Sequence, residues 1–171
     1  MGKRRYVIIM AAGSGTRMGA PMPKQFLEIG GKAILQHTIE VFVEACPGIS
    51  VVTVLNSDYI GYWRDYCLRR NFTCPQIIVA GGFTRFHSVR NALDKVPDGA
   101  IVAVHDGVRP LVTPRLVRDM FEKAETVQSL VPVIPCTDTL KVLQKEGEEL
   151  KTVEGVVADR SMLYAAQTPQ I

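Results

Sequence analysis

No run of apolar residues in this chain approaches the roughly 20 needed to cross a bilayer as a helix. The basic start, Lys3-Arg4-Arg5, is followed by only about five apolar residues, too few for the core of a secretory signal. Together these absences argue against a membrane partner and make the cytoplasm the expected location. The four cysteines, Cys46, Cys67, Cys74 and Cys136, form no C-x-x-C pair, and the three histidines, His37, His87 and His105, are scattered. A disulfide framework and a zinc site lose their usual sequence support. Charge of one sign is also missing. A net +3 is too little to indicate nucleic acid, but it suits a few cations gathered around an anionic small molecule.

Two familiar phosphate-loop patterns fail as well. Gly13-Ser14-Gly15-Thr16-Arg17-Met18 places Met where a dinucleotide fingerprint needs its last glycine, so a dehydrogenase is disfavoured. No Gly-Lys-Ser/Thr follows to make a Walker A loop.

What is there is 171 residues with 47% hydrophobic and 22% charged content, enough for one domain with a real core. Apolar runs alternate with helix-like segments. Tyr6–Met10 reads as a first strand and Ser50–Leu55 as a second. Gln76–Val79 reads as a third, ending at Gly81-Gly82, and Ala100–Val104 as a fourth, ending at His105-Asp106. Helices are expected from Ala33 to Val43, after an Asn56-Ser57-Asp58 cap, over Arg85–Leu93, and from Pro114 to about Thr126. Ser129–Ile134 reads as a fifth strand whose Pro132 suggests an edge or a bulge. Strands apolar throughout and alternating with helices predict an α/β fold with a doubly wound, mostly parallel, Rossmann-like sheet. Ligands of such sheets bind beyond the strands' carboxyl ends.

Asp138 to Arg160 breaks the alternation. Thr139–Leu143 and Lys151–Val153 flank a charged turn, which predicts a protruding β-arm over about 138–158 suited to gripping a second subunit.

The carboxyl end of the first strand carries the chemistry. Ala11-Ala12-Gly13-Ser14-Gly15-Thr16 lets main-chain N–H groups approach phosphates without obstruction. Arg17 and Lys24 add two cations within reach, as phosphoryl or nucleotidyl transfer requires when an anionic nucleophile meets an anionic electrophile. Both are expected to be catalytic. Asp106, at a strand's end, suits a Mg²⁺ ion held by one carboxylate plus phosphate oxygens. Arg109 suits a substrate phosphate or the anchoring of its loop.

In this order the motifs resemble the 2-C-methyl-D-erythritol 4-phosphate cytidylyltransferase family. They are Ala11–Met18, Pro23-Lys24-Gln25, Gly81-Gly82-x-x-Arg85-x-x-Ser88-Val89, Val104-His105-Asp106 with Arg109-Pro110, Asp138-Thr139-Leu140-Lys141, and Asp159-Arg160 ahead of Gln167-Thr168-Pro169-Gln170. Gly107 departs from the family's usual Ala, and Val157 stands where some relatives have Thr. The resemblance implies a nucleotidyltransferase-type domain over 1–171 that joins CTP to a sugar-alcohol phosphate, with Mg²⁺ on the triphosphate and a homodimer formed through the arm. It further implies that Gly81, Gly82 and Ser88 read the cytosine, and that Asp106, Arg109, Thr139 and Lys141 serve the sugar phosphate. Thr139 is expected to approach the sugar phosphate bound to the other subunit. Because the family continues past the Thr-Pro-Gln motif, a C-terminal strand and helix are expected to be missing after Ile171. Two alternatives stay open, a ribitol 5-phosphate cytidylyltransferase and a non-catalytic nucleotide-binding fragment. Lys141 directly after Asp138-Thr139-Leu140 favours the methylerythritol substrate.

Overall fold

The computed structural model describes residues 2–13, 22–153, 155 and 158–171. Contacts divide them into two compact units, 1–130 with 168–171, and Val131–Gln167.

In the first unit a parallel sheet runs in the order β5-β4-β1-β6. Its strands are β1 (Arg5–Ala11), β4 (Ser50–Leu55), β5 (Gln76–Ala80) and β6 (Ile101–Asp106). β1 lies in the middle, with Ile8 opposite Val52 on one side and Val104 on the other. Central position explains its composition, since Val7, Ile8 and Ile9 are all fully buried. Alternate residues serve opposite faces. Val7 and Ile9 join Leu35, Ile39, Phe42, Trp63, Val117 and Phe121 in one core. Ile8 and Met10 join Val52, Val54, Val79 and Ala92 in the other. Each such side chain, once buried, contributes about 1.5–3 kcal/mol.

The helices are α1 (Ile34–Ala45), α2 (Ile60–Arg69), α3 (Arg85–Leu93) and α4 (Pro114–Lys123). α3 starts where Thr84 Oγ1 accepts from His87 N at 3.3 Å. α4 starts where Thr113 Oγ1 accepts from Leu116 N at 3.2 Å, with Pro114 next. α4 ends at Lys123, three residues short of the expected Thr126. Asn56 caps a short 3₁₀ turn, Ser57–Tyr59, ahead of α2. A small hairpin of β2 (Glu28–Ile29) and β3 (Lys32–Ala33) precedes α1 and went unread in the sequence. Its turn, Gly30-Gly31, has φ of 58° and 81°, a conformation that glycine adopts at little cost.

The second unit corrects the expected fifth strand. β7 is Val133–Pro135, and it pairs antiparallel with β10 (Tyr164–Ala166) in a sheet of its own. Prolines explain the break. Neither Pro132 nor Pro135 can donate to a ladder, while the Pro132 carbonyl accepts from Gln167 N at 2.8 Å. The expected hairpin exists as β8 (Leu143–Glu146) and β9 (Glu149–Thr152), in register from Leu143–Thr152 to Glu146–Glu149. Its strands are shifted along the sequence relative to the expected ones, because the turn tightens to Gly147-Glu148, opened by Gly147 at φ 63°. The compact unit is also wider than 138–158, since β7 and β10 belong to it.

Candidate functional site

The carboxyl ends of β1, β5 and β6 meet around one cavity of about 340 Å³. Its walls include Ala11, Ala12, Gly13 and Lys24 from the first-strand segment, Gly82 and Ser88 from the β5–α3 segment, and Asp106 from β6. Gly81 and Gly82 also border an adjoining cavity of about 370 Å³ with Ala12 and Asn56. The structure thus brings together residues that stand far apart in the sequence, at the sheet edge where parallel folds hold ligands. Ser14, Gly15, Thr16 and Arg17 lie outside the described residues. Thr139 and Lys141 belong to the second unit, and both are exposed there.

Gln25 makes the first-strand segment hold its shape. Its buried side chain donates from Nε2 to Ala11 O at 2.7 Å and to Gly13 O at 3.0 Å. That ties the end of β1 to the 3₁₀ turn Lys24–Phe26, so half-buried Lys24 is carried on a fixed base at the cavity wall. Sequence reasoning quoted Gln25 but gave it no task. A polar residue wedged between Lys24 and the buried Phe26 was the available signal.

The β5–α3 segment is equally constrained. Gly81 N donates to Leu55 O at 2.7 Å, and a Cβ on Gly81 would stand 2.6 Å from the Ala12 Cβ. Glycine is required here for close approach. The Ser88 hydroxyl donates to Thr84 O at 3.0 Å and accepts from Gly82 N at 3.0 Å. Ser88 thereby shapes the Gly82 turn at the cavity wall.

At the end of β6, Asp106 is ion-paired with two guanidinium groups. Arg85 Nη1 is 2.9 Å from Oδ1, and Arg109 Nε is 2.9 Å from Oδ2. Arg109 is exposed and does not line the cavity itself. Arg85 does, and the sequence reading left it without a role. With Lys24 and Arg85 against Asp106, the wall carries an excess of positive charge. It favours polyphosphates over neutral ligands.

Next to Asp106, His105 is fully buried, its ring 4.9 Å from that of Phe42. Nε2 lies 3.0 Å from the Arg109 carbonyl, which can only accept, so the imidazole donates there. Burial holds its pKa below the ordinary 6.5.

For a metal, no cluster of three or more His, Cys, Asp or Glu side chains exists among the described residues. Asp106 is the one carboxylate among the described cavity-lining residues, and its attraction for cations is visible in its two partners. Its chemistry fits a single Mg²⁺ ligand, with phosphate oxygens and water supplying the rest.

Known proteins resemble this chain over nearly its whole length. Residues 6–171 match the IspD family model, described as 2-C-methyl-D-erythritol 4-phosphate cytidylyltransferase. A protein of that description from Azobacteroides pseudotrichonymphae is 43% identical over 169 residues, covering 99% of this chain and 73% of its own length. Another from Porphyromonas gingivalis is 42% identical over 170 residues, covering 99% and 72%. The crystal structure of 4-diphosphocytidyl-2C-methyl-D-erythritol synthase from Anaerococcus prevotii superimposes with a TM-score of 0.76 at 26% identity, covering 99% of this chain and 69% of that one.

Proposed function

The chain belongs to the 2-C-methyl-D-erythritol 4-phosphate cytidylyltransferase family, and on that premise we propose how its residues join CTP to methylerythritol phosphate in isoprenoid precursor synthesis. A phosphate oxygen of the acceptor attacks the α-phosphorus of CTP. The new P–O bond forms as the bond to the β-phosphate breaks, and pyrophosphate leaves, giving 4-diphosphocytidyl-2-C-methyl-D-erythritol. No covalent enzyme intermediate is needed. The task is to align two anions and offset their repulsion.

The convergence of Lys24, Gly82 and Asp106 on one cavity carries this reading. Lys24 and Arg17 neutralise charge on the phosphates as it builds in the transition state. Main-chain groups of Ala11–Thr16 receive the triphosphate, and Gly81 and Gly82, shaped by Ser88, receive the base. Asp106 and Arg109 meet the acceptor. Asp106 would be this chain's ligand to a Mg²⁺ ion on the triphosphate, and that ion would supply further charge neutralisation.

The partner is proposed to be a second copy of the chain, gripped by the arm, with Thr139 and Lys141 serving the sugar phosphate. Exposed Ile134, Leu150, Met162 and Tyr164 in the second unit support an apolar contact of that kind. No described helix is long and apolar enough to cross a membrane. The substrates point to work in the cytoplasm.

A pyrophosphate-release assay with CTP tests the reading. Methylerythritol phosphate is expected to support turnover and ribitol 5-phosphate is not. The reverse preference, or CTP binding with no release on either acceptor, overturns it.

A further inference from the structure

Two guanidinium groups on one carboxylate do different things in this site. Arg109 follows Asp106 by three residues, so its bond to Oδ2 is local to one turn. Arg85 comes from another element. It is the first residue of α3, and its Nη1 spans to Oδ1 at the end of β6. The segment leading into α3, Gly82-Phe83-Thr84, lines the cavity together with Arg85 and Asp106. That segment is itself fixed, by Ser88 to Gly82 N and Thr84 O, and by the Thr84 cap on His87 N. Arg85 is thus anchored at its base, while its side chain remains 56% exposed and that of Asp106 only 23% exposed. Such an exposed cation adds little to folding through an ion pair. Its consequence is geometric. Held at both oxygens, a carboxylate has its plane fixed as well as its position. Held at one, it can rotate about its last bond.

We propose that Arg85 is a positioning residue that fixes the Asp106 carboxylate, tying the β5–α3 segment to the end of β6, where Asp106 and Arg109 meet the acceptor. This rests on the proposed cytidylyl transfer and assigns a task to a residue that reading left idle.

A double-mutant cycle tests it, with R85A, R85K, D106N and R85A/D106N. Each is assayed for pyrophosphate release and, separately, for CTP affinity by calorimetry. In R85A the KM for the acceptor is expected to rise about 10-fold, with kcat within about 3-fold, as loss of a contact shared by ground and transition states predicts. R85K should recover most of that loss, because a single nitrogen meets a single oxygen and no fork is needed. In the D106N background, removing Arg85 should add little. Losses in the double mutant equal to the product of the single losses overturn the proposal. So does a failure of R85K to recover, or a loss of activity in R85A that merely follows a fall in melting temperature. A wild-type chain that binds CTP and releases no pyrophosphate strikes the cytidylyl-transfer reading alone. The coupling of Arg85 and Asp106 is then decided by the same cycle with methylerythritol phosphate titrated calorimetrically into the CTP-loaded chain.

Discussion

Gln25 bonds through Nε2 to the Ala11 carbonyl at 2.7 Å, joining the residue after Lys24 to the last residue of β1 across fourteen positions of chain. The same nitrogen holds Gly13 O at 3.0 Å, so one buried amide defines both ends of the cavity's first wall.

Replacing Gln25 by Leu keeps bulk and removes the donor. The Ala11 carbonyl then loses a partner in a buried setting and the Gly13 carbonyl one in a partly buried setting, at a cost of about 1–3 kcal/mol. For a chain of this size that lowers the melting temperature by roughly 2–12 °C. The KM for CTP should rise as well, since Lys24 loses its fixed base. Calorimetric unfolding and a CTP titration of Q25L check both effects. An unchanged KM would detach Gln25 from the nucleotide site.

Arg17 and Lys24 are expected to act on the transition state. Alanine at either position should lower kcat by about 10²-fold or more, the scale of losing one preorganised donor to developing charge. Circular dichroism of both variants should match the parent. Near-normal turnover in both variants would remove them from the mechanism.

Much of this architecture could be read from residue order, and the reasons differ by element. β4 at Ser50–Leu55 and α3 at Arg85–Leu93 match their expected bounds. One is a β-branched run between turn residues, and the other begins at a capping threonine. Both signals are local. The cavity was legible for a similar reason, because glycines and short polar residues follow the apolar runs of β1, β5 and β6. Pairings made across the chain were not legible. Val133–Pro135 turned antiparallel because its partner, Tyr164–Ala166, lies some thirty residues on, beyond any periodicity argument. Arg85 carried a motif position but no visible partner until folding set it against Asp106. Ser88 was read as a hydroxyl for the base, and the structure adds its bonds to Gly82 and Thr84. A sequence shows a hydroxyl but not where it points.

Gly81 offers a steric test of the base-side wall. An added Cβ would stand 2.6 Å from Ala12 Cβ and 3.2 Å from Ser88 Oγ. Gly81→Ala should therefore force the two segments apart, costing about 1–3 kcal/mol by overpacking, and weaken CTP binding. Adding Ala12→Gly removes the nearest obstacle, so the double variant should regain both stability and affinity. Thermal melts with and without CTP measure this. No recovery in the double variant would show that Ala12 is not the obstacle.

His105 makes the fold less stable in acid. In the neutral ring Nε2 donates to the Arg109 carbonyl, while Nδ1 is buried with no hydrogen-bond partner. A second proton would have to sit on Nδ1, in apolar surroundings beside Phe42, and burial accordingly lowers the pKa from 6.5. The unfolded chain accepts that proton near pH 6.5, the folded chain only at lower pH. Between the two values the unfolded state binds more protons, so stability rises with pH. The His105 contribution is fully present above about pH 6.5, and it declines as pH falls from there toward the lower folded value. The slope from this one group is at most about 1.4 kcal/mol per pH unit. Gln at 105 can still donate to the Arg109 carbonyl but cannot titrate. Urea unfolding of the parent and H105Q at pH 7.5, 6.5 and 5.5 should therefore show a shallower acid decline in the variant. Carboxylates titrate alike in both proteins and cancel from the difference. Parallel curves would mean that the ring takes up its second proton as easily folded as unfolded, and that the buried Nδ1 does not limit the fold.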